Sequence, residues 1–492
     1  MNSLKNKVVH ALLWSGLGQF ARQGITLAIG LMLARLLSPV EFGLLAMVVI
    51  LTGFAELILE CGLGSALVQH SELKDEHTNS VFWLTILVGG ISTSVFVMGA
   101  PLVARYFEQP MLEWITIALA INFPLVALRC VPYAMLARAM NFRAVAIAEL
   151  IATLVSGSVA IGLAFAGFGV WALISQILLR NLLLTIAFWG QTRWSPRWMF
   201  SVTALREMLA YSVHVLGFQT ADYWSMRIDH FLIGSFLGAA PLGLYTKGFE
   251  MMMLPVRQIG AMATRVMFPA FSKIQDDPAR MKAIYLKSIG CIALVAFPVI
   301  LGLGVAADSI IPTLLGPQWV ETIPLIRILC LIGAVHAIGT TTSWIYMSTG
   351  RTGLMFKWGL FVGMMKTVAI VIGLRWGILG VAWASFVVQF AVLLYPNFAI
   401  PGKLIGLSVR EIWMAVQAPM LMSLLMCGVV FGVGWALPSE LAIWARCLIQ
   451  VSMGGLFYWG LIHSLRVKPY QYLRGVITER STGMFAKASP VV

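Results

Sequence analysis

Ile289-Gly290-Cys291-Ile292-Ala293-Leu294-Val295-Ala296-Phe297-Pro298-Val299-Ile300-Leu301-Gly302-Leu303-Gly304-Val305 contains no charged residue and, with its flanks, makes an apolar segment over 284–306. A segment of this length, wound as a helix at about 1.5 Å per residue, crosses a hydrocarbon layer of about 30 Å. Comparable segments lie at 11–36, 41–67, 78–104, 111–136, 142–166, 168–190, 207–237, 241–271, 321–348, 354–374, 377–400, 411–437 and 440–463. The expected fold is therefore an all-α integral membrane protein with about 14 transmembrane helices. A membrane β-barrel is excluded, because its strands would alternate apolar and polar residues over about ten positions.

Composition agrees with this reading. Of 492 residues, 60% are hydrophobic and 11% charged, against roughly 25% charged in soluble domains. Connections between the segments are short. The longest outer one, 307–320, holds Asp308, Pro312 and Pro317. No segment is long enough for a soluble catalytic domain. The six cysteines (Cys61, Cys130, Cys291, Cys330, Cys427 and Cys447) lie in apolar runs without a CxxC pair, and read as small buried side chains rather than a metal or redox centre. Lys5 and Lys7 precede the first apolar run, but Gln19, Arg22 and Gln23 interrupt it, so it is expected to be a retained first span rather than a signal peptide.

Lysine and arginine set the orientation. With the N-terminus inside, inner segments and tail carry 20 of them, and the outer loops carry three: Arg35, Arg105 and Arg375. Both termini are expected in the cytoplasm. The net charge of +14 then reflects this loop bias and attraction to anionic lipid, and nucleic acid is not implied.

Leu37-Ser38-Pro39-Val40-Glu41-Phe42-Gly43-Leu44 is echoed 200 residues later by Leu237-Gly238-Ala239-Ala240-Pro241-Leu242-Gly243-Leu244. Gly169-Val170-Trp171-Ala172 has a second echo at Gly380-Val381-Ala382-Trp383-Ala384. These matches divide the chain into a first six-helix bundle over 1–199, a second over 200–405, two additional helices over 406–464 and a basic cytoplasmic tail over 465–492. Six helices preserve orientation, so the halves would be parallel copies, the arrangement in which transporters place substrate between repeats.

The informative residues are those a bilayer should reject, at about 2.5–3.5 kcal/mol or more for a midplane charge. Eleven basic residues fall within the spans: Arg22, Arg129, Arg180, Arg227, Lys247, Arg257, Arg265, Lys287, Arg327, Lys366 and Arg446. Six acids do: Glu56, Glu60, Glu149, Asp222, Asp229 and Glu250. Lys247, Lys287 and Arg327 are near enough to span ends to reach the headgroups. Ser15, Gln19, Arg22 and Thr26 share one helical face, as do Thr52, Glu56 and Glu60. His214, Asp222, Ser225 and Asp229 fall within an arc of about 80°, as do Lys247, Glu250, Arg257 and Arg265. Such segregation points to a wet interior. Structural pairing, for example of Glu56 or Glu60 with Arg22, or of Asp222 or Asp229 with Arg257, accounts for part of the set. The cations left over call for an anion, and arginine's planar fork suits phosphate. Pro255, two residues before Arg257, either hinges its helix or is an ordinary membrane-helix proline.

Asp229-His230-Phe231-Leu232-Ile233-Gly234, Leu237-Gly238, Leu242-Gly243-Leu244-Tyr245 and the run Arg265-Val266-Met267-Phe268-Pro269-Ala270-Phe271-Ser272-Lys273-Ile274-Gln275-Asp276-Asp277 resemble the polysaccharide-transporter branch of the multidrug/oligosaccharidyl-lipid/polysaccharide exporter superfamily. The resemblance is to the Wzx-type, colanic-acid-exporter-like, lipid-linked oligosaccharide flippases, and it covers about residues 10–465. It implies two six-helix bundles around a central cavity plus two C-terminal helices, in a bacterial inner membrane. It also implies export of an undecaprenyl-pyrophosphate-linked repeat unit for exopolysaccharide or lipopolysaccharide synthesis, an arginine-bearing cavity, and partners that include membrane lipids and polysaccharide polymerase and export machinery. The charged faces suggest Arg22, Arg257 and Arg265 as pyrophosphate ligands, with Arg129 and Arg180 as further candidates. Glu56, Glu60, Asp222, Asp229 and Glu250 either pair structurally or exchange H⁺ or Na⁺. No metal or other cofactor and no catalytic residue is expected. Two other classes compete: a cation-coupled drug antiporter, which would want an acidic cavity, and a membrane polysaccharide polymerase, which would want a larger outer loop.

Overall fold

The computed structural model describes residues 22–465 apart from 61–62, 71–72, 193 and 439, together with 467, 469–472 and 474. Every regular element among them is helical. Nine stretches of the described residues are long and apolar enough to cross a membrane. The chain divides into two compact units, Met1–Gly243 and Leu244–Val492.

In the first unit, helix α1 occupies 22–36. It is followed by α2 (Pro39–Glu60), α3 (Leu63–Gln69), α4 (Asp75–Tyr106), α5 (Met111–Ala120), α6 (Asn122–Arg138), α7 (Phe142–Phe165), α8 (Val170–Thr192) and α9 (Val202–Leu237). Helix α6 packs on α4 and α8, α7 on α8, and α2 on α9. The helix starts are written in sequence. Asn141 Oδ1 accepts from the Ala144 amide at α7, and Ser201 Oγ accepts from the Ala204 amide at α9, each satisfying one of the amides a helix N-terminus leaves free. Ser38 and Glu41 do the same for α2, with Glu41 Oε2 accepting from the Ser38 amide at 2.6 Å.

The expected single span over 111–136 is found as Met111–Arg138, with its helix interrupted at Ile121. Pro124 explains the break: it has no N–H to donate to the Ala120 carbonyl, and the Ile121 amide turns instead to Ala118.

The repeated turns meet. A Cβ on Gly43 would lie 1.8 Å from the Ala239 carbonyl oxygen, and a Cβ on Gly243 would lie 1.8 Å from the Pro39 carbonyl oxygen. Each copy of the motif thus brings its glycine against the other copy's first helical turn, a reciprocal approach that only a residue without a side chain permits. Gly238, at φ +90°, separates α9 from α10 (Ala239–Lys273).

The second unit contains most of α10, then α11 (Pro278–Val305), α12 (Ala307–Leu314), α13 (Thr322–Gly339), α14 (Thr342–Ser348), α15 (Thr352–Gly373), α16 (Gly377–Val387), α17 (Leu394–Leu404), α18 (Val409–Ala436) and α19 (Ile443–Ser464). Helix α11 packs on α13 and α18, α15 on α16, and α18 on α19. The decisive run of the sequence is the centre of this unit: Ile289, Ala293, Ala296 and Ile300 are fully buried. The α10 helix continues through Pro255. The connection 307–320, expected as a loop, is largely helical, with α12 followed by a 3-10 turn at Pro317–Trp319; burial of Trp319 holds it against the bundle.

The expected span 321–348 is found as Thr322–Ser348, with its helix interrupted at Thr340–Thr341. Thr340, Thr341, Thr342 and Ser343 each donate a side-chain hydroxyl to the carbonyl three residues back, which competes with the helical ladder. A π-helical segment, Val388–Leu393, joins α16 to α17.

Candidate functional site

Three helices of the first unit, α2, α6 and α8, bring polar side chains into one part-buried row. Asn122 sits at the break that Pro124 imposes, and its amide is 2% exposed. Asn122 Nδ2 donates to Glu56 Oε1 on α2 at 2.5 Å. Asn122 Oδ1 accepts from Asn181 Nδ2 on α8 at 2.5 Å. Asn181 Oδ1 in turn accepts from Arg129 Nη1 on α6 at 2.6 Å. The two amides thus link a carboxylate to a guanidinium, each using both ends of its side chain. Beside this row, Arg22 Nη1 of α1 meets Glu149 Oε2 of α7 at 2.6 Å. Arg180 adjoins both groups: Arg129, Glu149 and Arg22 all act on it electrostatically.

Among the described residues, three arginines and two glutamates therefore share one half-buried region, with one positive charge in excess. At its α9 side the Tyr223 hydroxyl donates to the Ile50 carbonyl at 2.7 Å, and the Arg227 guanidinium lies 5.9 Å from the centre of the Tyr223 ring.

The expected candidates separate as follows. Arg22, Arg129 and Arg180 come together. Arg22 pairs with Glu149, and not with Glu56, whose carboxylate takes the Asn122 amide. Arg257 belongs to the second unit and is exposed; its field reaches the ring of His336. Arg265, Glu60 and Asp222 have described backbone in α10, α2 and α9, and their side chains lie outside the described residues, as do Ser15, Gln19 and His214. Asp229 Oδ1 accepts from the backbone amide of His230 and lies 2.7 Å from its Nδ1. Glu250 pairs with Lys247 at 3.0 Å. Of the cations near span ends, Arg327 pairs with Asp308 and Lys287 lies 5.6 Å from the Tyr472 ring centre. Asn122 and Asn181 were not foreseen, because an isolated amide in an apolar run carries no charge signal. The inward-facing spacing of Asn181 beside Arg180 is the only hint the sequence offers.

Among the described residues no group of three or more His, Cys, Asp or Glu is placed to hold a metal.

A family model described as "Polysaccharide biosynthesis protein" matches residues 32–324. The teichuronic acid biosynthesis protein TuaB of Bacillus subtilis (strain 168) is 24% identical over 475 residues, 94% of this chain and 96% of that protein. The lipopolysaccharide biosynthesis protein WzxC of Escherichia coli (strain K12) is 23% identical, covering 89% and 90%. The succinoglycan biosynthesis transport protein ExoT of Rhizobium meliloti (strain 1021) is 27% identical, covering 73% of each. In fold, the lipid II flippase MurJ in an inward closed conformation superimposes with a TM-score of 0.74 at 16% identity, over 92% of this chain and 100% of that one. An inward-facing multidrug resistance MATE family transporter gives a TM-score of 0.57 at 16% identity, over 83% and 98%. None of these proteins carries an enzyme's name. The chain belongs to the polysaccharide biosynthesis protein family, and its described residues make it a multi-pass membrane protein.

Proposed function

We propose that this protein is a flippase that moves an undecaprenyl-pyrophosphate-linked oligosaccharide repeat unit from the inner to the outer leaflet. The observation that carries the proposal is the cluster of Arg22, Arg129 and Arg180 with Glu56 and Glu149 among the described residues. A half-buried site with excess guanidinium is chemically complementary to a pyrophosphate, which accepts several charge-assisted hydrogen bonds at once. A drug antiporter for organic cations would require the opposite balance. Arg257 and Arg265 would supply the second unit's contribution, with the polyprenyl tail left in lipid.

In this reading two six-helix bundles, plus two further helices, alternate access to a cavity, with both termini in the cytoplasm and the glycan passed on to polymerase and export machinery. Glu56, Glu60, Asp222, Asp229 and Glu250 act as anchors: Glu56 holds Asn122, Asp229 holds His230 and Glu250 holds Lys247. Translocation should then continue when proton and sodium gradients are collapsed; loss of transport would reassign these acids to ion coupling.

The test is complementation of a bacterium that lacks its own repeat-unit exporter. Restored surface polysaccharide is expected, with no gain of resistance to cationic dyes. Dye resistance without restored polysaccharide would favour the antiporter.

A further inference from the structure

Residues 194–201, between α8 and α9, form no helix, yet they are clamped along the first turns of α4. The Arg197 amide donates to Asn79 Oδ1 at 2.6 Å, and the Ser201 amide donates to Ser80 Oγ at 2.8 Å. Both acceptor side chains are buried. The Trp83 indole donates to the Arg197 carbonyl at 2.9 Å, and the Arg197 guanidinium pairs with Asp75 at 3.1 Å. At the start of the linker Trp194 packs edge-on against buried Phe82. Side chains of α4 thus meet backbone groups that the linker cannot pair within itself.

This clamp leaves large apolar side chains outside. Trp198 is 89% exposed, Phe200 59% and Val202 70%. The Trp198 ring lies nearly parallel to that of Trp83, with centroids 4.1 Å apart, so one indole face is held while the side chain points outward. Polarity is ordered along α4. Asp75 and its partner Arg197 mark the first turn, while Trp83 and its partner Trp198 lie about 12 Å further along the axis. Helix α4 begins a membrane-crossing stretch at Asp75, and α8 ends one at Thr192, so the linker sits where spans leave the hydrocarbon. A charge at that edge with an indole one step deeper matches the bilayer's own order, phosphate outside and acyl chain inside, and tryptophan concentrates at this level. The Arg197–Asp75 pair is exposed on both sides and occupies one of the guanidinium's five N–H groups.

We infer that this linker is a phospholipid anchor: Trp198 and Phe200 enter the boundary between headgroup and acyl chain, and Arg197 meets a lipid phosphate. Lipid is favoured over a partner protein because the patch lies beside two spans, where lipid is already the neighbour. The anchor holds the linker, and with it the start of α9, at one depth. It involves none of Arg22, Arg129 or Arg180, so it stands or falls apart from the transport reading.

The test uses the full-length protein in vesicles of phosphatidylcholine and phosphatidylglycerol. The emission of Trp198 is taken as the difference between the parent and Trp198→Phe. Quenching is compared for lipid brominated high on the acyl chain, lipid brominated near the chain end, and aqueous iodide on both sides of the vesicle. Bromine high on the chain should lower this emission roughly twofold or more, with little effect from the other two quenchers. Phe200→Trp adds an emitter at the same boundary, should respond alike, and decides the matter if Trp198→Phe does not fold. Quenching by iodide in place of lipid would put the linker in water. Quenching mainly from the chain end would make it an ordinary lipid-facing surface, and quenching by none of the three would put it under protein. Each of these results would overturn the inference.

Discussion

Asn122 and Asn181 join Glu56 to Arg129 through hydrogen bonds of 2.5–2.6 Å, and both are buried. Replacing Asn181 by Leu removes the partner of a guanidinium and of a second amide together. Leaving such groups unmet costs about 1–3 kcal/mol, so Asn181→Leu should lower the melting temperature of the purified protein by several degrees; an unchanged melt would show the row to be unimportant. The Arg22–Glu149 pair is about 28–29% exposed on each side, so its worth is smaller, about 1 kcal/mol or less. Glu149→Gln alone should nevertheless destabilise more than Arg22→Gln with Glu149→Gln, because the single change raises the positive excess. A double-mutant cycle read by thermal unfolding checks the sign. The arginines were legible in the sequence because a charge in an apolar run stands out. Their partners were not: helical faces show which residues point inward, but Arg22 chose Glu149 over Glu56 through packing between helices 127 positions apart, which no spacing rule encodes.

Among the elements, the paired turns of α2 and α10 make the sharpest prediction. Gly43→Ala and Gly243→Ala each place a methyl 1.8 Å from a backbone oxygen. Neither helix can yield without moving its first turn, so both variants should fold poorly or melt well below the parent. Gly30→Ala meets nothing within 4 Å, lies mid-helix in α1, and should be neutral or stabilising by up to about 1 kcal/mol. Equal melting of all three would refute the close approach. The 200-residue echo already marked these turns in the sequence, although their contact did not follow from it. The nine spans found among the described residues were legible from apolar length. The helix interruptions within them were less so: Pro124 interrupts the helix at Ile121, and the hydroxyl run Thr340–Ser343 interrupts another, because local carbonyl competition decides what hydropathy averages away.

For the whole molecule, the lysine and arginine asymmetry of the loops predicts cytoplasmic termini, which reporter fusions at residues 1 and 492 would check; a periplasmic signal from either end would reject that orientation. The membrane class and the family were both legible, since 11% charged residues and the Asp229–Asp277 stretch pointed to them before any coordinates. The cargo was legible only as a chemistry, an anion for surplus arginine, because sugar recognition leaves no such charge signature. That chemistry is testable in proteoliposomes carrying a fluorescent undecaprenyl-pyrophosphate-linked oligosaccharide, with leaflet exposure followed by an impermeant quencher. Protein-dependent translocation is predicted, falling at least tenfold, with expression and melting preserved, in Arg129→Gln and in Arg257→Ala. Translocation at the parental rate in both arginine variants, or none with the parent protein, would contradict the account.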